Sequence, residues 1–154
     1  SSKNVELVTK HGIFTEAEFY ARHEIHLDAY RKIVCIDAKT CIDMALHQIL
    51  PAALAYSKSL CDGILAKKSL TISCNAETSL AERLSAAADA VYCKCEKLQE
   101  HLKNVPQSSE EAVAYYRNVI VSDMESMRQD ADILERLTDK KYWPYPTYSD
   151  ILFY

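Results

Sequence analysis

Glycine is almost missing from this chain: Gly12 and Gly63 are the only two in 154 residues. Tight β-turns need backbone at positive φ, which glycine or asparagine supplies at little steric cost. A strand-rich fold therefore has too few places to turn. A phosphate-cradling loop, where backbone must approach the ligand closely, has no glycine cluster to be built from. Four prolines (Pro51, Pro106, Pro144 and Pro146) complete the strong breakers. Frequent Ala, Leu, Glu and Lys favour helix across the remainder, and the expected fold class is all-α.

At this length one domain with a full core is expected. Net charge is −4 without a basic run, so no nucleic-acid partner is expected. The longest apolar run, Ile49 to Tyr56, contains Pro51 and falls far short of the ~20 residues that cross a bilayer, so no membrane partner is expected either. Ser1-Ser2-Lys3-Asn4 leads into no signal-like segment, and the expectation is a cytoplasmic protein. In that compartment the six cysteines are expected as free, buried thiols, with only Cys74 in a loop.

Residues 1–14 read as a lead-in, with one helical turn around Val5, Leu7 and Val8 before Gly12. Thr15-Glu16-Ala17-Glu18 forms a capping box that opens a helix. From Phe19 to Leu70 no loop-like cluster follows. Pro51 is the one interruption, and a proline inside a helix loses a hydrogen bond and crowds the preceding turn. No linker residues surround it, so the reading is one long helix kinked near Pro51. A chain reversal there would give a four-helix bundle instead. At 1.5 Å per residue, ~55 residues reach roughly 80 Å.

Ser69–Asn75 is the first loop. The next helix opens at Asn75 or Ser79, where Ser79-Leu80-Ala81-Glu82 offers a second capping box. Leu80, Leu84, Ala87, Val91, Cys95 and Leu98 recur at steps of three and four, and Leu102 and Val105 extend the stripe. Pro106 ends it. Ser108 caps a further helix whose buried face carries Val113, Tyr116, Ile120, Met124, Met127, Leu134 and Leu137. The short connection makes these two helices antiparallel neighbours. The domain thus reads as an antiparallel bundle of three long helices over 15–141, followed by a non-helical aromatic tail over 142–154.

Candidate chemistry is sparse. His23 and His26 lie one turn apart, but no Glu-x-x-His motif faces them, so a surface or interface role is expected rather than metal binding. Cys93 and Cys95 point to different sides of a helix and cannot grip one ion. Lys39, Asp43 and His47 form a polar ladder on a segment that is otherwise apolar nearly all round, from Ile33 to Leu50. No catalytic, cofactor-binding or metal residue is assigned. An all-round apolar helix is covered on more than one side, and the two later helices cannot cover the whole rod. The tail gathers six of the fourteen aromatics. It either folds back on the bundle or anchors an interface through Tyr142, Trp143, Tyr145, Tyr148, Leu152 and Phe153.

Lys10-His11-Gly12-Ile13-Phe14-Thr15-Glu16-Ala17-Glu18, Ala21-Arg22-His23-Glu24-Ile25, Asp43-Met44-Ala45 and Ile49-Leu50-Pro51-Ala52 resemble the C-terminal region of type III glutamine synthetases. The closing run from Tyr142 to Phe153 is similar to the end of those enzymes. The resemblance implies a parent that ligates ammonia to glutamate with ATP and a divalent metal, Mg by expectation, in a ring-shaped homo-oligomer. No position here matches that family's catalytic motifs. It implies a non-catalytic C-terminal domain whose partners are its own catalytic domain and neighbouring subunits, bracing one or joining the others. The alternative is a free-standing helical interaction or regulatory module.

Overall fold

The computed structural model describes residues 2–146 and 148–152, all of whose regular structure is helical; Ser1, Thr147, Phe153 and Tyr154 lie outside the described residues. The expected interface residue Phe153 is among these. Helix α1 spans Ser2–Lys10, longer than the single turn expected of the lead-in. It stops where Gly12, at φ 62°, takes the left-handed conformation. There the Ile13 amide donates to Val8 O and the Gly12 amide to Thr9 O, the paired bonds of a Schellman cap.

The capping box forms as the sequence indicates. Thr15 precedes α2 (Glu16–Met44) in extended backbone, its hydroxyl accepts from the Glu18 amide, and its own amide donates to the Glu18 carboxylate at 2.8 Å. These bonds hold the Glu18 carboxyl below its ordinary range. The helix then runs without reversal into α3 (Leu50–Ser69) through a π-turn at Ala45–Ile49. Pro51 explains that turn. It has no N–H for the His47 carbonyl, and its ring crowds that group. In the widened turn the Leu50 amide donates to Ala45 O instead, so Pro51 falls in the first turn of α3, where a missing donor is harmless. The four-helix alternative with a reversal at Pro51 is thereby ruled out.

α3 ends in a second Schellman cap, with Ile72 N donating to Lys67 O and Thr71 N to Lys68 O. Thr71 sits at φ 56° where glycine is usual. α4 spans Asn75–Lys103 and returns antiparallel to the rod. It opens at Asn75, so Ser79 lies inside the helix and the expected Ser79–Glu82 capping box does not form. Cys74 occupies the cap position and is buried. α5 (Ser109–Tyr115), a second π-turn (Tyr116–Ile120) and α6 (Val121–Leu137) together make the third long helix. Ser108 stands at its N-cap, but its side chain makes no capping bond. The tail is not wholly non-helical, because α7 (Tyr148–Leu152) forms once Pro144 and Pro146 are passed. Lys140 and Asp150 pair across that turn.

The core lies where the rod, α4 and the α5–α6 helix meet. Val34, Ala38, Ile42, Ala45, Ile49, Leu50 and Ala53 come from the rod, and Leu84, Val91, Cys95 and Leu98 from α4. Tyr116, Ile120, Met127 and Leu134 close it from the third helix. At 1.5 Å per residue the 29 residues of α4 cover about 44 Å, roughly half the reach of the 16–69 rod. Within α2 the buried residues begin at Val34, leaving 16–33 as an overhang.

Candidate functional site

The polar groups singled out in the sequence scatter over the surface. His23 and His26 are exposed on the overhang. Lys39, Asp43 and His47 are exposed on the rod, with His47 Nδ1 2.7 Å from Asp43 Oδ1. Among the described residues no group of three or more His, Cys, Asp or Glu converges as a metal site would require. ATP and a divalent metal, implied for the parent, do not fit these residues. The turn at Gly12 leads to a helix start already occupied by the Glu18 carboxylate, which would repel a phosphate.

All six cysteines are free, but not all are buried: Cys61 and Cys93 are exposed, because each falls on a helix face that nothing covers. Burial pushes the Cys95 thiol up to about 11, and its Sγ lies 3.3 Å from Met127 Sδ. Burial also raises Cys41, as it does the phenol of Tyr116, with Cys35 adding to the latter. Packing thus keeps Cys41 and Cys95 in the thiol form.

The α4–α6 seam carries a polar ladder the sequence reading missed. Asp123, buried, receives Lys97 at 3.0 Å and lies 2.5 Å from His101 Nδ1. Lys94 pairs with Asp130 at 2.5 Å and donates to Ser126 O at 2.9 Å. Buried charge is tolerated only when paired in this way. The ladder fixes the register of two helices.

On the opposite side of α6, between it and the rod, runs a groove of about 490 Å³. Such volumes suit ligands or docked side chains. Both π-turns shape it: Ala45 and Ile49 belong to the first, and Val121 directly follows the second. The tail closes one end. Trp143 and Tyr145 stack edge to face at 6.2 Å, and the Tyr145 hydroxyl donates to Gln48 Oε1 at 2.6 Å. Tyr142 rests against Tyr56 at 5.4 Å. Three of the expected interface residues thus turn back onto their own bundle, while Leu152 points outward at 71% exposure. Tyr148 lies at the start of α7. The groove itself was missed, although all three methionines and the single tryptophan of the sequence line it.

Further large apolar side chains lie exposed around the rod. Tyr20, Ile25, Tyr30, Ile33 and Ile36 are all exposed, with Ile25 at 65% and Ile36 at 62%. Arg22 stacks on Phe14 at 4.6 Å, tying the turn after α1 to the overhang. No described helix is long and apolar enough to cross a membrane.

The family model for the glutamine synthetase C-terminal domain matches residues 1–68, which take in α1, the overhang and nearly all of the rod. A glutamine synthetase of Butyrivibrio fibrisolvens is 34% identical over 99% of this chain and 22% of its own length. A type-3 glutamine synthetase of Dictyostelium discoideum is 28% identical over 99% of the chain and 22% of its length. The glutamine synthetase of Bacteroides fragilis is 28% identical over 92% of the chain and 20% of its length. The chain spans about a fifth of the length of the curated relatives it matches. With the domain model matched along the rod and the alignments running on through the bundle, this chain belongs with the C-terminal domains of glutamine synthetases.

Proposed function

We propose that this chain is the non-catalytic C-terminal domain of a type III glutamine synthetase, and that it braces the catalytic domain or joins subunits of a cytoplasmic homo-oligomer. In that reading the whole protein ligates ammonia to glutamate with ATP and a divalent metal, all bound outside these residues. The overhang carries the proposal. Over 16–33 no residue is fully buried; Leu27 and Arg31 are half-buried, while Tyr20, Ile25, Tyr30 and Ile33 face solvent. A helix that long, with large apolar side chains exposed around it, would fray without a cover. Leu152 and Ile151 at the tail supply a smaller second contact.

The test uses the full-length protein. Replacing Ile25 and Ile33 together by Glu is expected to shift its sedimentation profile to smaller species and to lower glutamine synthesis with it. An unchanged profile and unchanged activity would sink the bracing role. The 154-residue chain alone is expected to form no glutamine from glutamate, ammonia and ATP, and measurable turnover would refute its non-catalytic assignment.

A further inference from the structure

We propose that the groove between the rod and α6 is a docking site for a basic amphipathic helix of a partner protein. This surface is separate from the overhang and does not depend on the bracing role.

Its walls run the length of a short helix, with room for the side chains of one face. On the rod, Asp37, Cys41, Met44 and Ile49 follow one another at helical spacing over about three turns, or roughly 18 Å. On α6, Val121, Met124, Arg128 and Glu135 cover about four turns. Two neighbouring helices of a three-helix bundle leave between them the position that a fourth helix fills in a four-helix bundle. A partner helix of about 14 residues, with apolar anchors at i, i+3 or i+4 and i+7, would lie along both walls.

The floor is adaptable. Met44, Met124 and Met127 are unbranched, polarizable side chains that re-pack around differing anchors. Trp143, held at the closed end by its contact with Tyr145, supplies a rigid aromatic stop. The rim selects charge. Asp37, Glu125, Asp132 and Glu135 stand around the opening against a single cation, Arg128. Among the described residues none of these five forms an ion pair, and four carboxylates against one guanidinium leave a net negative rim for lysines or arginines flanking the apolar face of a guest.

The probe is a fluorescein-labelled 14-residue peptide of Leu and Lys in helical period, titrated by anisotropy against the full-length protein and against the 154-residue chain. A peptide with Glu in place of every Lys is the comparison. Saturable micromolar binding of the Leu/Lys peptide is expected with both proteins, and at least tenfold weaker binding of the Leu/Glu peptide. Glu125→Lys with Glu135→Lys is expected to weaken the Leu/Lys peptide at least tenfold. Glu82→Lys with Glu96→Lys changes net charge equally on exposed sites of α4 and is expected to leave affinity unchanged. Circular dichroism checks that each variant keeps its helix content. Absence of saturation, equal affinity for both peptides, or equal loss in the two variants would overturn the proposal. So would binding to the chain but not to the full-length protein, since the groove would then be filled by the protein's own remaining segments.

Discussion

Two residues in the same backbone role show how local strain is distributed. Gly12 and Thr71 each occupy the left-handed position of a Schellman cap, at φ 62° and 56°. Glycine meets no steric cost there, whereas a β-branched residue does, by about 1–2 kcal/mol. Thr71 persists because the cap bonds to Lys67 and Lys68 end α3 at the point where the chain must turn into α4. The nearby ion pair of Lys67 with Glu77 holds the far side of the turn and keeps the Glu77 carboxyl below its ordinary range. Thr71→Gly is therefore expected to raise stability by about 0.5–1 kcal/mol after the unfolded-state entropy of glycine is set against the relieved strain. Gly12→Ala, where φ is as unfavourable, is expected to lower it by a similar amount. Urea midpoints of the two variants check both signs. A destabilised Thr71→Gly variant would mean that the threonine side chain, not the backbone, holds this cap.

Among the elements, the two π-turns have different causes. The one at Ala45–Ile49 is legible in hindsight, since Pro51 removes a donor and crowds the turn before it. Pro51→Ala restores the donor. It is expected to raise stability by about 1 kcal/mol, measured as a higher thermal midpoint, because an interior helical alanine carries no such penalty. A lowered midpoint would argue that packing of Ala45 and Ile49, both buried, holds the wide turn by itself. The turn at Tyr116–Ile120 has no proline to explain it. Tyr116 and Ile120 are both buried, and the extra residue in that turn lets each reach the core. Capping was legible only in part. Thr15 and Glu18 satisfy each other as the pattern indicates. The Ser79–Glu82 pattern is equally good on paper, but Cys74 and Asn75 start α4 a full turn earlier.

For the whole molecule, stability is uneven along one continuous helix. Leu84, Leu98 and Leu134 are fully buried where three helices meet, while no residue of 16–33 is fully buried and its first half is met only by α1 and the Phe14 turn, before α5 joins near Arg31. Helix of that length without tertiary cover opens locally at low cost. In the 154-residue chain, amide exchange over 18–30 is expected to be at least 100-fold faster than over 84–98. In the full-length protein the same amides are expected to slow if a catalytic domain or neighbouring subunit covers them. Equal protection of both segments in the isolated chain would mean that the overhang is already covered, for instance by a second copy.

The sequence by itself determined that the chain is helical, because a chain with two glycines cannot supply the turns a sheet requires. It determined the stripe on α4, since side chains that recur at three and four must share a face, and Leu84, Val91, Cys95 and Leu98 are indeed buried. It also determined that the rod would outrun its partners. Tertiary structure alone decided the groove. Met44 lies some eighty positions from Met124 and Met127, and Trp143 reaches them only after the tail folds back toward Gln48. No local pattern encodes that meeting, because it depends on the relative placement of helices whose own periodicities are satisfied either way. The fate of the aromatics was decided there too. Tyr142, Trp143 and Tyr145 have the same chemistry whether they face a partner or their own bundle, and only the path after Pro144 chooses.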